Sequence, residues 1–340
     1  MSEIRRDRLH SQYVLIAPER MRRPDTLAPT LAKSTLKTCP FCEGNEAMTP
    51  PEICAVRENE ANGINWKVRV VPNLYKAVQI EIEDHSKLMG MFESIPGVGA
   101  HEIVIDTPSH DSRMANLNAV EIRDWLSTIA VRIADLRQDN RLIHTCIFKN
   151  QGEHAGATQQ HPHTQIIALP ITPTDDLNLL ERHMQYYRRH GRSKVEDILE
   201  NERLAEVRII SERGDFTAYC PYASAFPFEV IIAPRRALTN LDELDRDDMA
   251  NLADLMKEVF FRLDIQLGNF DFNLAFRLAP LNTNFENAPF FPHLKHFFRF
   301  TIRIMPRIYR LGGLELSTGM IINPVEPEEA AKLLREVKLR

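Results

Sequence analysis

A pattern of one strand, one helix and two further strands occurs twice in this chain, and it limits the folds that the chain can adopt. The apolar residues of the helical stretch in the first copy are spaced three and four apart, as on an amphipathic helix. The first copy predicts strands at residues 102–106, 142–149 and 161–169 with a helix at 118–139, and the second predicts strands at 228–234, 272–278 and 298–305 with a helix at 247–267. Two such copies indicate an internal duplication, with one half at residues 1–171 and the other at 172–340.

Two histidines and a glutamine alternate at the start of the last strand of the first copy, in the run His161-Pro162-His163-Thr164-Gln165. Because alternate side chains of a strand point the same way, we expect the histidines and the glutamine to share one face. Pro162 donates no hydrogen bond to a ladder, which favours the beginning or the edge of a strand. Three nitrogen-bearing side chains on one face indicate chemistry. The alternative is the solvated face of an edge strand.

The second copy of the pattern lacks these side chains. Aligning the two final strands places Arg299 opposite His161, Thr301 opposite His163, and Arg303 opposite Gln165. If the fold itself required the histidines, the second copy would carry them too. We therefore predict that the chemistry belongs to the first copy and that the second serves as a scaffold or as a wall of the substrate site.

Cys39 and Cys42 form a Cys-x-x-Cys pair near the start of the chain. Two thiolates at this spacing suit a tetrahedral zinc ion, which needs two further ligands. A redox dithiol is the first alternative, but such pairs usually lie between a strand and a helix, and the flanks here are typical of a loop. Two unrelated free cysteines are the second alternative.

The remaining zinc ligands must be chosen among several histidines. His110 and His161 are the best candidates, because each stands at a strand end in the same copy. His101 and His154 are competitors that the spacing alone does not exclude. Zinc with four protein ligands has no open coordination position, so this site would be structural rather than catalytic.

Three arginines, Arg20, Arg22 and Arg23, lie within four residues of one another in a chain whose net charge is −5. Guanidinium groups offer a fork of fixed donors to phosphate oxygens. Because the whole chain is acidic, any positive field for a phosphate substrate must be local. The segment therefore predicts phosphate binding, and the alternative is an exposed basic loop.

Composition excludes several classes of function. The acidic balance, with a pI near 6.2, gives no general attraction to nucleic acid or to an anionic membrane. No apolar stretch is long enough to span a membrane, and the first residues form no apolar signal segment. Five cysteines are too few, and odd in number, for a disulfide framework. We expect a cytoplasmic protein.

Other segments carry weaker signals. Gly152 and Gly156 permit close approach of the backbone to a ligand, and Thr158 adds a hydroxyl three residues before His161. His293 and His296 lie in a loop without a nearby cysteine or acid, so we do not expect them to bind a metal. Residues 172–201 predict a helical connector, and residues 326–340 predict a terminal helix with acidic residues first and basic residues last.

Four short motifs follow one another along the chain. They are Pro-Glu-Arg-x-Arg-Arg-Pro from residue 18, Cys-Pro-Phe-Cys-x-Gly-Asn-Glu from residue 39, Phe-Lys-Asn-Gln-Gly from residue 148, and His-Pro-His-x-Gln from residue 161. In this combination the chain resembles the galactose-1-phosphate uridylyltransferase family of the histidine-triad superfamily, over nearly its whole length. The resemblance implies an α+β fold of two histidine-triad-like halves, each an antiparallel sheet with helices packed on it. It also implies a homodimer with sites near the subunit interface.

The resemblance also implies roles for single residues. His163 would be the nucleophile, and Gln165 would hold the phosphoryl group. It implies that the zinc ligands are Cys39, Cys42, His110 and His161. It implies that the nucleotide and its phosphates are lined by Arg20, Arg23, Asn73, Asn150 and Thr158.

These residue types suit nucleotidyl transfer. A neutral imidazole is nucleophilic near pH 7, so His163 would attack the α-phosphorus of a nucleotide sugar and form a nucleotidyl-histidine. Zinc on His161 would hold that strand in place and so position the nucleophile. Gln165 occupies a position where histidine-triad hydrolases usually carry histidine. An amide donates a hydrogen bond but cannot shuttle protons, which favours transfer to an ionised phosphate over hydrolysis.

The chain also departs from the family pattern. Some members have a second metal site on histidines of the second copy, and the Arg277, Arg299 and Thr301 found here predict that it is absent. Residues 316–323 replace a segment with which better-studied galactose enzymes read the hexose. The base and the sugar therefore stay open.

We interpret the chain first as an enzyme that transfers uridylyl groups between UDP-glucose and a hexose 1-phosphate. The alternative within the same chemistry is a phosphorylase of ADP-glucose or of a dinucleoside polyphosphate. A third interpretation is a non-catalytic, zinc-stabilised module that binds a nucleotide. The intact pair of His163 and Gln165 argues against that module, because binding alone needs no nucleophile.

Overall fold

The computed structural model describes residues 3–7, 9, 13–16, 38–58, 60–82, 87–89, 92–94, 96–282 and 291–339. Arg20, Arg22 and Arg23 lie outside these residues. The strands are β1 (Glu3–Arg6), β2 (Tyr13–Ile16), β3 (Cys54–Val56), β4 (Val68–Pro72), β5 (Lys87–Met89), β6 (Phe92–Ser94), β7 (Ala100–Ile105), β8 (His144–Gln151), β9 (His163–Leu169), β10 (Ile209–Arg213), β11 (Phe216–Tyr219), β12 (Val230–Pro234), β13 (Phe272–Arg277), β14 (Thr301–Pro306) and β15 (Ile321–Asn323).

Ten of these strands form one antiparallel sheet in the order β10-β11-β12-β14-β13-β8-β9-β7-β4-β3. The central pair is β8 and β13, in which Asn150 lies opposite Asn273 and Ile147 opposite Phe276. Outward from β8 the sheet continues with β9, β7, β4 and β3, and outward from β13 it continues with β14, β12, β11 and β10. On each side the next strand of the chain comes first, and three strands from earlier in the chain follow it. The α+β class with antiparallel sheets is therefore confirmed, and the strands of the two copies join edge to edge. The domain boundary between residues 171 and 172 stays a prediction.

Two smaller sheets lie outside this body. Strand β2 pairs with β1 in an antiparallel manner and with β15 in a parallel manner, and β5 and β6 form a hairpin. The helices are α1 (Ala119–Leu136), α2 (Thr174–His190), α3 (Lys194–Ala205), α4 (Arg246–Leu267), α5 (Leu294–Phe297), α6 (Gly313–Thr318) and α7 (Pro327–Glu336).

The two long helices α1 and α4 cover one face of the sheet and begin with the same device. The side chains of Asn118 and Asp245 each cap a helix by accepting hydrogen bonds from backbone N–H groups of its first turn. In return, the side chains of Glu121 and Asp248 accept a hydrogen bond from the backbone N–H of the cap residue. Such a capping box satisfies amide groups that the helix itself leaves unpaired. The faces of α1 and α4 that meet the sheet bury one continuous apolar core, which includes Trp125.

Most predicted elements are present with bounds shifted by a few residues, and the last strand of each copy begins later than predicted. The strand predicted at 161–169 begins at His163, because Pro162 has no N–H to donate and only its carbonyl pairs, with Asp106. His161 therefore lies two residues before the first residue of the strand, so the strand alternation that we expected to align it with His163 and Gln165 does not extend to it. The strand predicted at 298–305 begins at Thr301, and residues 298–300 connect it to helix α5 without forming a helix or a strand.

The described part of the chain contains no helix with the length and apolar character needed to cross a membrane.

Candidate active site and metal centre

The loop that carries the two N-terminal cysteines folds into a tight turn. The backbone N–H of Cys42 donates to the carbonyl of Cys39 at 3.3 Å, and the N–H of Asn45 donates to the carbonyl of Cys42 at 3.1 Å. The side-chain amide of Asn45 donates to the Cys39 carbonyl at 2.8 Å and closes the turn. These bonds bring the two thiols to the same side of the loop.

Four side chains from three segments meet at this turn. The ligand atoms of Cys39, Cys42, His110 and His161 all lie within 4.8 Å of one another. Cys42 Sγ is 3.4 Å from His110 Nδ1 and 3.6 Å from His161 Nδ1. Standard zinc bonds of about 2.3 Å to sulfur and about 2.1 Å to nitrogen give tetrahedral S···N edges of about 3.6 Å. The donor set and its spacing therefore fit a tetrahedral metal ion.

The hydrogen bonds of His161 suit a metal ligand. Its Nε2–H donates to the Thr107 carbonyl at 2.8 Å, so Nδ1 carries the free lone pair that faces the cluster. Burial lowers the pKa of His161 to about 4, which keeps the ring neutral at pH 7. A metal ligand must be in this form.

The cysteine pair does not have the electrostatics of a redox dithiol. Burial and the neighbouring Cys39 raise the pKa of Cys42 to about 11. Reactive dithiols have a lowered thiol pKa, so the redox alternative is disfavoured. A divalent cation at the centre of the cluster would supply the positive charge that the thiolates need.

The competing histidines lie elsewhere. His101 contacts Asn73 and Gln165, and His154 follows the Gly152 loop. His296, in helix α5, lies 3.3 Å from the hydroxyl of Tyr187. Among the residues that the structure describes, the group of Cys39, Cys42, His110 and His161 is the one whose spacing would hold a metal.

His163 is the first residue of β9, and one of its ring nitrogens is already used. Its Nδ1–H donates to the carbonyl of His161 at 2.9 Å, which leaves the lone pair on Nε2. Burial lowers the pKa of His163, so the neutral ring is favoured. Phe41, between the two cysteines, contacts the rings of both His161 and His163, with centroids 6.1 and 5.6 Å away. The loop between Cys39 and Cys42 therefore packs against the candidate nucleophile through Phe41.

A buried polar network lies beneath His163 on the helix side of the sheet. The ammonium of Lys149 donates to Asp106 at 2.7 Å and lies 3.3 Å from the carbonyl of His163. Thr164 donates to the other carboxylate oxygen of Asp106 at 2.9 Å, and Trp125 donates to Thr164 at 3.0 Å. Our sequence analysis missed Lys149 and Asp106. The sequence feature that could have indicated them is a charged residue within or directly after an apolar strand, at a position that faces the core.

Gln165 lies in a small cluster of polar groups at the open face of the sheet. Its Oε1 is 3.0 Å from His101 Nε2, which is also 3.0 Å from the Asn73 amide nitrogen. The backbone N–H of Ala77 donates to His101 Nδ1 at 3.1 Å. The structure thus brings two predicted site residues, Asn73 and Gln165, to one histidine that the sequence analysis considered only as a competing metal ligand.

Residues of the second copy make hydrogen bonds to Asn150 and to the glycine loop, which is the segment from Gly152 to Gly156. The amide of Asn273 donates to Asn150 Oδ1 and to the Ala155 carbonyl, both at 2.8 Å. Asp271 accepts from the His154 N–H at 2.8 Å, and a Cβ at Gly152, where φ is +86°, would overlap with that carboxylate. The loop therefore needs a glycine at this position, and it ends near the exposed Thr158.

Comparisons with known proteins identify the family of this chain. The family model described as "Galactose-1-phosphate uridyl transferase, N-terminal domain" matches residues 1–173, and the model of the corresponding C-terminal domain matches residues 179–339. An ADP-glucose phosphorylase from Arabidopsis thaliana is 31% identical over 99% of this chain and 93% of its own length. A galactose-1-phosphate uridylyltransferase from Thermotoga maritima is 26% identical over 100% of this chain and 99% of its own length.

The solved structures show the same fold. The crystal structure of an ADP-glucose phosphorylase from Arabidopsis thaliana with bound ADP-glucose matches with a TM-score of 0.84 and 29% identity, and the match covers 100% of both chains.

Proposed function

Since this chain belongs to the galactose-1-phosphate uridyl transferase family, we propose that it moves a nucleoside monophosphate from a nucleotide sugar to a phosphate acceptor through His163. The observation that carries this proposal is the Nδ1–H bond from His163 to the His161 carbonyl, because it leaves Nε2 as a nucleophilic lone pair. Membership in this family of transferases and phosphorylases rests on the match along the whole chain and not on the role of His163.

The proposed reaction has two half-reactions. His163 Nε2 attacks the α-phosphorus, a P–N bond forms, and the P–O bond to the sugar phosphate breaks with departure of sugar 1-phosphate. An oxygen of the acceptor phosphate then attacks the same phosphorus and takes the nucleotide, and the P–N bond returns its electrons to the imidazole. Both phosphates are already ionised, so neither step requires a general acid or base.

We propose ADP-glucose as the donor and inorganic phosphate as the acceptor. The support is the Arabidopsis phosphorylase at 31% identity and its related structure with bound ADP-glucose. UDP-glucose with a hexose 1-phosphate, our first interpretation from sequence, is the second candidate. It is supported by the Thermotoga maritima uridylyltransferase at 26% identity.

The remaining site residues are proposed on the same basis. Gln165 would donate to the phosphoryl group, and Arg20, Arg23, Asn73, Asn150 and Thr158 would line the nucleotide and its phosphates. Cys39, Cys42, His110 and His161 would hold one structural zinc. When bound, the zinc supplies a cross-link between the cysteine loop and the residues just before β9. The homodimer and the cytoplasmic location stay predictions.

Labelling of the protein tests the proposal. With α-phosphate-labelled ADP-glucose and no acceptor, the protein should release about one glucose 1-phosphate per site and retain the label in an acid-labile, alkali-stable bond. Adding inorganic phosphate should then release the label as ADP. UDP-glucose in parallel distinguishes the two candidates.

His163→Ala should abolish this labelling because no other group supplies the lone pair. His296→Ala, which removes an exposed histidine of helix α5, should label like the unchanged protein. Label that persists in His163→Ala, or label from neither donor, would refute the assignment.

A further inference from the structure

His101 occupies a diagonal position next to Gln165 in the sheet. In the pairing of β7 with β9, Ile103 lies opposite Gln165 and His101 lies opposite Ile167. Directly paired residues of an antiparallel ladder project to the same face, so His101 and Gln165 share the open face. His101 is buried, with 8% of its surface exposed, and its Nε2 lies 3.0 Å from Gln165 Oε1.

The hydrogen bonds of His101 determine which of its nitrogens carries the proton. The N–H of Ala77 points at Nδ1 from 3.1 Å, and a backbone amide can only donate. Nδ1 must therefore be the acceptor, and the single proton of the neutral ring is on Nε2. This Nε2–H donates to Gln165 Oε1.

The amide of Gln165 is thereby held in one orientation. Since its Oε1 is occupied by His101, the NH2 group is the end that is left to meet a ligand. Asn73 has the same polarity, because its Oδ1 accepts the N–H of Tyr75 at 2.9 Å. Its amide nitrogen lies 3.0 Å from His101 Nε2, and because both groups are donors in this assignment, that contact does not compete for Gln165 Oε1. The NH2 group of Gln165 is thus the donor of this cluster that is left for a ligand.

We propose that His101 is a positioning residue that locks Gln165 with its NH2 group toward the reacting phosphoryl and its oxygen turned away. This inference rests on the proposed function of His163. A donor end stabilises the oxygens of the phosphoryl group, whereas an exposed amide oxygen would accept a hydrogen bond from water and orient that water for attack. The lock therefore favours transfer to phosphate over hydrolysis of the nucleotidyl-histidine.

A purely structural role is the competing explanation, since His101 also anchors the turn at Ala77. Two substitutions separate the contacts. The amide of His101→Asn reaches about as far as Nδ1, so it can keep the bond from Ala77 but cannot reach Gln165. The longer His101→Gln carries an N–H about where Nε2 stands, so it can still donate to Gln165.

The experiment measures how the labelled intermediate partitions between water and inorganic phosphate. His101→Asn should raise the ratio of hydrolysis to transfer by about tenfold, the size expected for one lost hydrogen bond, and His101→Gln should stay near the unchanged protein. In a Gln165→Ala background, His101→Asn should change the ratio no further, because it acts through that side chain.

The outcomes are distinguishable from one another. Equal ratios for His101→Asn and the unchanged protein would overturn the lock, as would an additional change of the ratio in the Gln165→Ala background. If the unchanged protein acquires no label from either nucleotide sugar, the proposed function fails first. Thermal unfolding of each variant shows whether the turn at Ala77 is intact. If His101→Asn does not fold, His101→Ala, which removes the Nε2–H, should raise the ratio by about tenfold, and an unchanged ratio in that variant would overturn the lock.

Discussion

The two copies of the strand and helix pattern have the same strand order on either side of β8 and β13, but their polar side chains do different things. In the first copy, the Nδ1–H of His163 donates to the His161 carbonyl and leaves the lone pair on Nε2, and Gln165 Oε1 lies 3.0 Å from His101 Nε2. In the second copy, Arg299 is paired with Glu196 and Arg303 is paired with Glu229. The polar strand residues of the first copy are therefore neutral imidazole and amide groups, and those of the second are charged groups neutralised by ion pairs.

The second copy nevertheless reaches into the site of the first. Asp271 and Asn273, at the start of β13, hold the glycine loop and the side chain of Asn150 across the central strand pair. A duplicated fold can thus lose the reactive residues from one copy and keep that copy as the support of the other. If one copy carries the chemistry and the other supports it, matched substitutions in the two copies should have different effects.

Removing a metal ligand should have the largest effect, and only the first copy should contain such a centre. We expect Cys42→Ser to lose bound zinc, from about one ion per chain to near zero, and to lose more than about 5 kcal/mol of unfolding free energy. Metal analysis and urea unfolding measure both quantities.

Cys146→Ala, which removes a thiol of β8 outside the cluster, is the matched control and should keep the metal. A folded, active Cys42→Ser protein with full zinc content would show that the four residues are not the ligands.

Two buried ion pairs, one in each copy, allow a sharper comparison. Lys149 and Asp106 are each 1% exposed, and Arg303 pairs with Glu229, which is also 1% exposed. Replacing Lys149 or Arg303 with Met leaves a buried carboxylate without its cation, which costs about 3–5 kcal/mol in unfolding free energy.

We expect both Met variants to lose stability to a similar degree, as measured by urea unfolding. Only Lys149→Met should also slow the labelling of His163, because the Lys149 ammonium contacts the carbonyl of that residue. Equal labelling rates in the two folded variants would mean that the network beneath His163 serves stability alone.

The parts of the structure that sequence predicts well are those that depend on neighbouring residues. The helix after Asn118 follows from a cap residue, an acid three positions later and an apolar period, all within one segment. The Cys-x-x-Cys turn is equally local. The proposed metal ligand His110, by contrast, is 68 residues away from Cys42, and its choice depended on a family resemblance.

The parts that sequence could not predict depend on how distant strands pair. His101 meets Gln165 because β7 lies beside β9 in one particular register, which no pattern within either strand specifies. The orientation of the His161 ring has a similar origin, because Nε2 donates to the Thr107 carbonyl and Nδ1 lies 3.6 Å from Cys42 Sγ, and both partners are distant in the sequence. The support of Asn150 by Asn273 likewise requires the pairing of β8 with β13.

The smallest predicted effect concerns this last contact and asks whether the second copy contributes to catalysis. Asn273→Ala removes two hydrogen bonds, to Asn150 and to the Ala155 carbonyl, so we expect a loss of about 1–2 kcal/mol in unfolding free energy. Freed from Asn273, the Asn150 amide can rotate and turn its oxygen toward the phosphates. We therefore also expect kcat/KM for the nucleotide sugar to fall by about tenfold. Asn282→Ala is the matched control.

Asn282 also makes two hydrogen bonds across the copies, to the carbonyls of Asp139 and Leu142 at 3.0 and 2.9 Å, but it contacts no predicted site residue. Its loss should lower stability by a similar amount and leave kcat/KM unchanged, because nothing near His163 moves. If the two variants lose activity in proportion to stability alone, the second copy is a passive scaffold. If only Asn273→Ala loses activity, the copy without the histidines orients a side chain of the copy that has them, and the central pair of β8 and β13 belongs to the site.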